Sequence, residues 1–109
     1  MLPIAIWHGA DLCGLAHGQA SPHRADGARH TITITHIERR PEPPPVPLRR
    51  LIAPLAVAVA EEYGRALRSS SIRLLNPDPR LLGYYCDVLG FEVAWKNGHP
   101  VYCEKRIER

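Results

Sequence analysis

Residues 61–91, Glu61-Glu62-Tyr63-Gly64-Arg65-Ala66-Leu67-Arg68-Ser69-Ser70-Ser71-Ile72-Arg73-Leu74-Leu75-Asn76-Pro77-Asp78-Pro79-Arg80-Leu81-Leu82-Gly83-Tyr84-Tyr85-Cys86-Asp87-Val88-Leu89-Gly90-Phe91, read as the end of one helix, a short strand, a second helix and a turn into another strand. The first helix stops at the three serines, and Ile72 to Leu75 is short and apolar enough for a buried strand. Asn76-Pro77-Asp78-Pro79 is turn chemistry, with Asp78 placed to cap a helix and Pro79 at its first position. Leu81, Leu82, Tyr85, Val88 and Leu89 then share one helical face, and Gly90 stands where a helix is stopped by a left-handed residue.

Working outward, Pro47 suits the first position of the preceding helix. Leu48, Leu51, Ile52, Leu55, Val59 and Tyr63 recur at helical spacing, with Arg49, Arg50, Glu61, Glu62 and Arg65 mostly opposite. Leu51 to Ala60 is apolar almost all round, which predicts burial on more than one side. Pro54 lacks an N–H, so the helix either kinks or begins there. On the other side, Phe91, Val93 and Trp95 alternate along one face of a strand. Asn97-Gly98 is a two-residue hairpin signal, and Val101, Cys103 and Lys105 continue the returning strand.

The N-terminal part is all strand. Ile4 to Trp7 and Leu12 to His17 flank the turn formers His8-Gly9-Ala10-Asp11 as a hairpin, and Gly14, Ala16 and Gly18 allow close approach of other backbone. Gln19 to Ala28 is a polar loop. Arg29 to Ile37 is the clearest strand, because Thr31-Ile32-Thr33-Ile34-Thr35 is β-branched throughout and alternates with period two. Pro41 to Pro47 holds five prolines in seven positions, which forces an extended, polyproline-like connector. The order β-β-β-α-β-α-β-β predicts an α+β fold around one central sheet, read as a single domain over residues 1–109.

Hydrophobic content of 45% with 23% charged residues describes a globular chain rather than a disordered one. The net charge of +3 is spread thinly: no third of the chain holds more than one excess cation, so there is no basic arm for nucleic acid. Cys13, Cys86 and Cys103 are odd in number and scattered, which favours reduced thiols and, with no signal peptide and no run near ~20 apolar residues, a cytoplasmic protein. Six histidines stand at no metal-ligating spacing, so no metal is expected.

The element order, with Tyr84-Tyr85 ahead of Leu89-Gly90-Phe91, resembles the GCN5-related N-acetyltransferase (GNAT) family from its second strand onward, a short member lacking the N-terminal strand and helices. The resemblance implies an acyl-CoA N-acyltransferase fold: a central mixed, mostly antiparallel sheet with helices on both faces. It also implies acetyl-CoA as co-substrate and direct attack by a primary amine acceptor on the thioester. In that family the strand corresponding to Thr31–Glu38 splays from the one corresponding to Ile72–Leu75, and the pantetheine arm fills the gap. His36, Ile37 and Glu38 would then bond its amides through their backbone. Asn76 joins the expected cofactor contacts.

The family's glycine-rich pyrophosphate turn is replaced here by Arg39-Arg40-Pro41-Glu42-Pro43-Pro44-Pro45-Val46-Pro47-Leu48-Arg49-Arg50. Arg39, Arg40, Arg49 and Arg50 are the side chains left to hold phosphates, against the alternative of solvated surface arginines. The family's usual acid position, four residues before Gly90, is Cys86, so the resemblance implies that the leaving thiolate takes its proton from Tyr84 or Tyr85 one or two positions away, with the Cys86 thiol as the alternative. Tyr85 lies on the apolar face and has core packing as its other role. Glu38 is the expected base if it faces the cleft, or else a strand-end carboxylate paired with Arg39 or Arg40.

Two further expectations follow. Without the family's first strand, Ile4 to Trp7 forms a sheet edge suited to a homodimer or partner strand. Pro44-Pro45-Val46-Pro47-Leu48-Arg49 matches a Pro-x-x-Pro-x-Arg ligand of SH3 domains, the mark of a non-catalytic or partner-completed interaction module.

Overall fold

The structure, a computed structural model, describes residues 2–20, 31–42 and 49–107. Six strands form one sheet: β1 (Leu2–His8), β2 (Asp11–Ala20), β3 (Thr31–Arg39), β4 (Ser71–Leu75), β5 (Glu92–Lys96) and β6 (His99–Arg106). Helix α1 (Ile52–Ala66), entered through a 3-10 turn at Arg49–Leu51, joins β3 to β4. Helix α2 (Leu82–Asp87), entered through a 3-10 turn at Pro79–Leu81, joins β4 to β5. The spatial order is β1-β2-β3-β4-β6-β5, and every neighbouring pair is antiparallel except β3 with β4. The α+β class and the element order are as the sequence predicts. The polyproline run and the SH3-type motif fall almost wholly on residues 43–48, outside the described residues, as does Pro47 at the start of the expected helix.

The turns obey the residues that occupy them. Gly9 (φ +60°) closes the β1–β2 hairpin, and Asn97 (φ 52°) with Gly98 (φ +76°) closes β5–β6 in the left-handed pair that such hairpins need. Asp78 accepts the Arg80 backbone N–H at 3.0 Å, so it caps the turn into α2 with Pro79 next to it, and Gly90 (φ +80°) follows the helix. Pro54 sits in the first turn of α1, where its missing N–H has no partner to lose. The helix therefore begins near Pro54 rather than bending at it.

The core lies on one face of the sheet. Ile32 and Ile34 of β3, Ile72 and Leu74 of β4 and Cys103 of β6 stand in register, and Val57 and Ala60 of α1 and Tyr85 of α2 pack on them. A second cluster joins Ile4 and Ile6 of β1 and Ala16 of β2 to Ile52 and Ala56 of α1. Close approach here depends on Gly14, where an added Cβ would stand 2.7 Å from Ile52 Cγ2 and 2.9 Å from the Glu38 carbonyl oxygen.

Three expectations need correction. Both helices pack on this isoleucine face, so helices on both faces are not found among the described residues. On the other face the centre of the sheet carries Thr31, Thr33, Ser71, Arg73, Tyr102 and Glu104, where Arg73 lies 4.0 Å over the Tyr102 ring and donates to Glu104 at 2.9 Å. The buried side of α1 is Ile52, Ala56, Val57, Ala60 and Gly64, whereas Leu51, Leu55 and Val59 are exposed. Small residues set the contact because α1 lies close on the sheet, leaving the bulkier leucines outward. Finally, Val88 and Leu81 are exposed because α2 is a short helix, and Trp95 is exposed near the end of β5, the edge strand of the sheet.

Candidate active site

The parallel pairing of β3 with β4 runs from Thr31–Ser71 to Ile34–Leu74 and stops there. β3 continues to Arg39, still paired with β2 but, among the described residues, with no strand on its other side. The divergence begins at Thr35, an extra residue between Ile34 (opposite Gly18) and His36 (opposite His17). Such a bulge bends the strand and sharpens its twist. Here the Thr35 hydroxyl donates to the His17 carbonyl at 3.3 Å. Beyond β4 the chain turns away at Asn76 (φ 47°), whose N–H donates to the carbonyl of Val101, itself the extra residue of the β5–β6 bulge.

Between the diverging ends lies a cleft of about 1010 Å³. One wall is β3 from Ile34 to Arg40. The facing wall is Leu74 to Asp78 with Arg80, Tyr84 and Tyr85, and the first turn of α1 (Ile52, Ala53, Pro54) with Arg50 closes one end. The structure thus brings together His36, Ile37, Glu38, Arg39, Arg40, Arg50, Asn76, Tyr84 and Tyr85, which the sequence offered from four separate segments. Arg49 stands in the turn before α1 but is not part of the cleft lining, and its side chain lies outside what is described.

Within the cleft, the two tyrosines differ. Tyr85 is buried and meets Phe91 edge-on with ring centres 6.2 Å apart, and burial pushes its hydroxyl above the ordinary phenol range. Tyr84 is half-buried, its ring centre 6.3 Å from that of Tyr85. Core packing is therefore the main role visible for Tyr85, and Tyr84 is the more accessible hydroxyl. Cys86, at the spacing where the family carries its acid, does not line the cleft.

Glu38 is among the residues that line the cleft, and its partner is neither Arg39 nor Arg40 but His36, with Nε2 3.2 Å from Oε2. Arg39 approaches Glu42 at 3.9 Å and Arg40 approaches Asp11 at 3.8 Å. Alternation along β3 explains this choice. Residues 36 and 38 point to one face of the sheet, while Ile37 points to the other and packs on the core against α1.

Sequence reasoning missed Arg80, His17 and Thr35. Arg80 lines the cleft and is held on the capping Asp78 by Nε at 3.2 Å and Nη2 at 3.0 Å. These bonds lower the Asp78 carboxyl below its usual value and raise the Arg80 guanidinium. Its place just after Asp78-Pro79, at a helix start beside the strand end, was the signal available. His17 lies across from His36 with ring centres 6.5 Å apart. The cleft lining carries four arginines (39, 40, 50 and 80) against two carboxylates, a balance that suits an anionic ligand. Among the described residues no group of three His, Cys, Asp or Glu side chains is arranged to hold a metal ion, and no helix is long and apolar enough to cross a membrane.

No protein-family model matches the chain, and no curated protein matches it by sequence. Solved structures do. A GNAT-family acetyltransferase from Listeria monocytogenes 4b F2365 superposes with a TM-score of 0.61 at 15% identity, over 90% of this chain and 59% of its own. The AtaT Y144F mutant toxin, solved bound to the C-terminus of the antitoxin AtaR and acetyl-CoA, superposes with a TM-score of 0.58 at 11% identity, over 88% of this chain and 59% of its own. The fold is therefore GNAT-like, and the chain spans about three-fifths of the length of either neighbour.

Proposed function

We propose that this chain binds acetyl-CoA in the gap between β3 and β4 and moves the acetyl group to a primary amine. The observation that carries the reading is the unpaired side of β3 from Thr35 to Arg39, facing a cleft beside the first turn of α1. An extended amide-bearing arm lying there completes the sheet in place of the missing strand, with the backbone of His36, Ile37 and Glu38 as its partners. The AtaT neighbour, solved with acetyl-CoA on the same fold, supports the choice of ligand.

The phosphate end falls to side chains. Prolines in the connector remove N–H donors, so Arg39, Arg40, Arg50 and Arg80 at the rim take the role that a glycine turn plays elsewhere, with Asn76 beside them. In the transfer, the amine lone pair attacks the thioester carbonyl and the carbon–sulfur bond breaks. The departing thiolate takes its proton from a tyrosine, for which Tyr84 is better exposed than Tyr85. Replacing Tyr84 by Phe is expected to lower kcat for CoA release by about 10²-fold while leaving acetyl-CoA affinity intact. Tyr85→Phe is expected to act through stability. Full turnover in Tyr84→Phe would remove that residue as the acid.

The exposed Trp7 and the half-buried Leu15, on the face away from α1 that no described helix covers, favour a second reading, a GNAT-fold module completed by another chain. Activity of the purified chain alone in the CoA-release assay argues against this, and activity that appears only with a partner supports it.

A further inference from the structure

The outward side of α1 is an apolar surface that neither the core nor the cleft uses. Leu51, Leu55, Ala58 and Val59 recur at helical spacing and are exposed, Leu51 by 47% and Val59 by 44%. They belong to neither core cluster and do not line the cleft. A surface helix ordinarily turns polar side chains to water. From Leu51 to Ala60 this one has none, so the burial on more than one side that its sequence predicts is only half met within the chain. We infer that two copies of this chain associate through α1, packed nearly antiparallel about a twofold axis at Leu55.

The pattern of the helix fits itself. In a twofold contact, each pairing of one residue with another is repeated in reverse. With Leu55 against its own copy, Leu51 falls opposite Val59 of the partner subunit, and the two apolar stripes cover each other. Charge follows the same symmetry. Arg49 and Arg50 precede α1, no carboxylate stands in its first turn, and Glu61 and Glu62 come near its end. An antiparallel pair sets each basic end beside the partner's acidic end, where the helix dipole also favours a carboxylate. A parallel pair would set like charges together. Glu61 is turned to the sheet, where it accepts from Lys105 Nζ at 2.8 Å. Glu62 pairs with Arg65 along its own helix and is 76% exposed, so it is the carboxylate placed to reach across. The β1 edge, another surface on which copies could meet, is interrupted by Pro3, which has no N–H to pair, and by a bulge between Ile6 and Trp7.

One helix pair lies at the low end of stable interface sizes, about 1,200 Å² in total, so the association expected is reversible and micromolar. Sedimentation equilibrium of the wild-type chain up to about 200 µM is expected to show a monomer–dimer equilibrium in that range. Leu55→Lys puts two ammonium groups face to face at the axis and is expected to weaken the dimer by about tenfold or more. Its circular dichroism should match wild type, because position 55 is 37% exposed in the single chain. Glu62→Lys, at a more exposed position, is expected to weaken the dimer about two- to fivefold at low salt and less at high salt, and it carries the test should Leu55→Lys not fold. Register is read by cross-linking under a mild oxidant in a Cys86→Ser background. Leu55→Cys is expected to give a covalent dimer, and Leu51→Cys, which faces Val59 of the partner subunit, is not. A chain that stays monomeric at about 200 µM overturns the proposal. So does a dimer that folded Leu55→Lys leaves intact, since the contact then lies on another surface. Unchanged affinity in Glu62→Lys at low salt, or equal cross-linking at positions 51 and 55, overturns the antiparallel arrangement.

Discussion

Cys103 is the residue whose chemistry burial alters most. It is fully buried between β4, β5 and the tyrosines of α2, and burial, with Cys86 as a lesser cause, pushes its thiol up to about 11 from 9.0. Its neutral form is therefore favoured in the folded chain. In the unfolded chain the thiol ionises first as pH rises, so the unfolded state binds fewer protons across this window. The stability from the neutral thiol is complete below pH 9.0 and falls as pH rises toward about 11, by at most about 1.4 kcal/mol per pH unit. Tyr85, raised by burial, adds a loss of the same sign at alkaline pH. Chemical denaturation of Cys103→Ala across that range should show a shallower alkaline decline than wild type, and identical slopes would contradict the burial effect.

Helix α1 is positioned by small residues, and its seat also fixes the end of β3. Gly14 lies under Ile52 and against the Glu38 carbonyl, so a methyl group there meets backbone as well as side chain. Gly14→Ala is expected to destabilise the fold by about 1–3 kcal/mol, read as a lower melting temperature, because β3 cannot move aside without losing its pairing to β2. An unchanged melting temperature would show that the helix seat is looser than its packing indicates.

Which features were legible in the sequence follows from range. Strand alternation in Thr31–Thr35, the Asn97-Gly98 turn, the Asp78 cap and the Gly90 stop are local, and each was readable. The buried side of α1 was not, because Leu51, Leu55 and Val59 are more apolar than the alanines and glycine that actually meet the sheet. Nor was the Thr35 bulge, which no residue type announces and which exists only as a mismatch between two strands. The arginine and tyrosine candidates came from the family pattern, and the structure gathers most of them at one cleft. The His36–Glu38 contact depends on alternation beyond that bulge, so nearest-neighbour reasoning assigned Glu38 the wrong partner.

At the scale of the molecule, one sheet with one layer of helices gives a slab 21 Å across its shortest dimension. Function in such a slab concentrates where the sheet opens, since that is where backbone groups lack partners and both faces meet one ligand. The arginine-rich rim, the unpaired β3 edge and the two tyrosines all belong to that opening. The most direct measurement is thermal unfolding of the wild-type chain with and without acetyl-CoA, checked by calorimetry. Ligand at a hundredfold excess over its Kd stabilises by about 2.7 kcal/mol, which in a domain of this size raises Tm by about 10 °C or more. A saturable rise of that kind, reduced in a variant carrying Arg50→Ala and Arg80→Ala, is the expected result; no shift and no heat at millimolar acetyl-CoA would contradict the cofactor site itself.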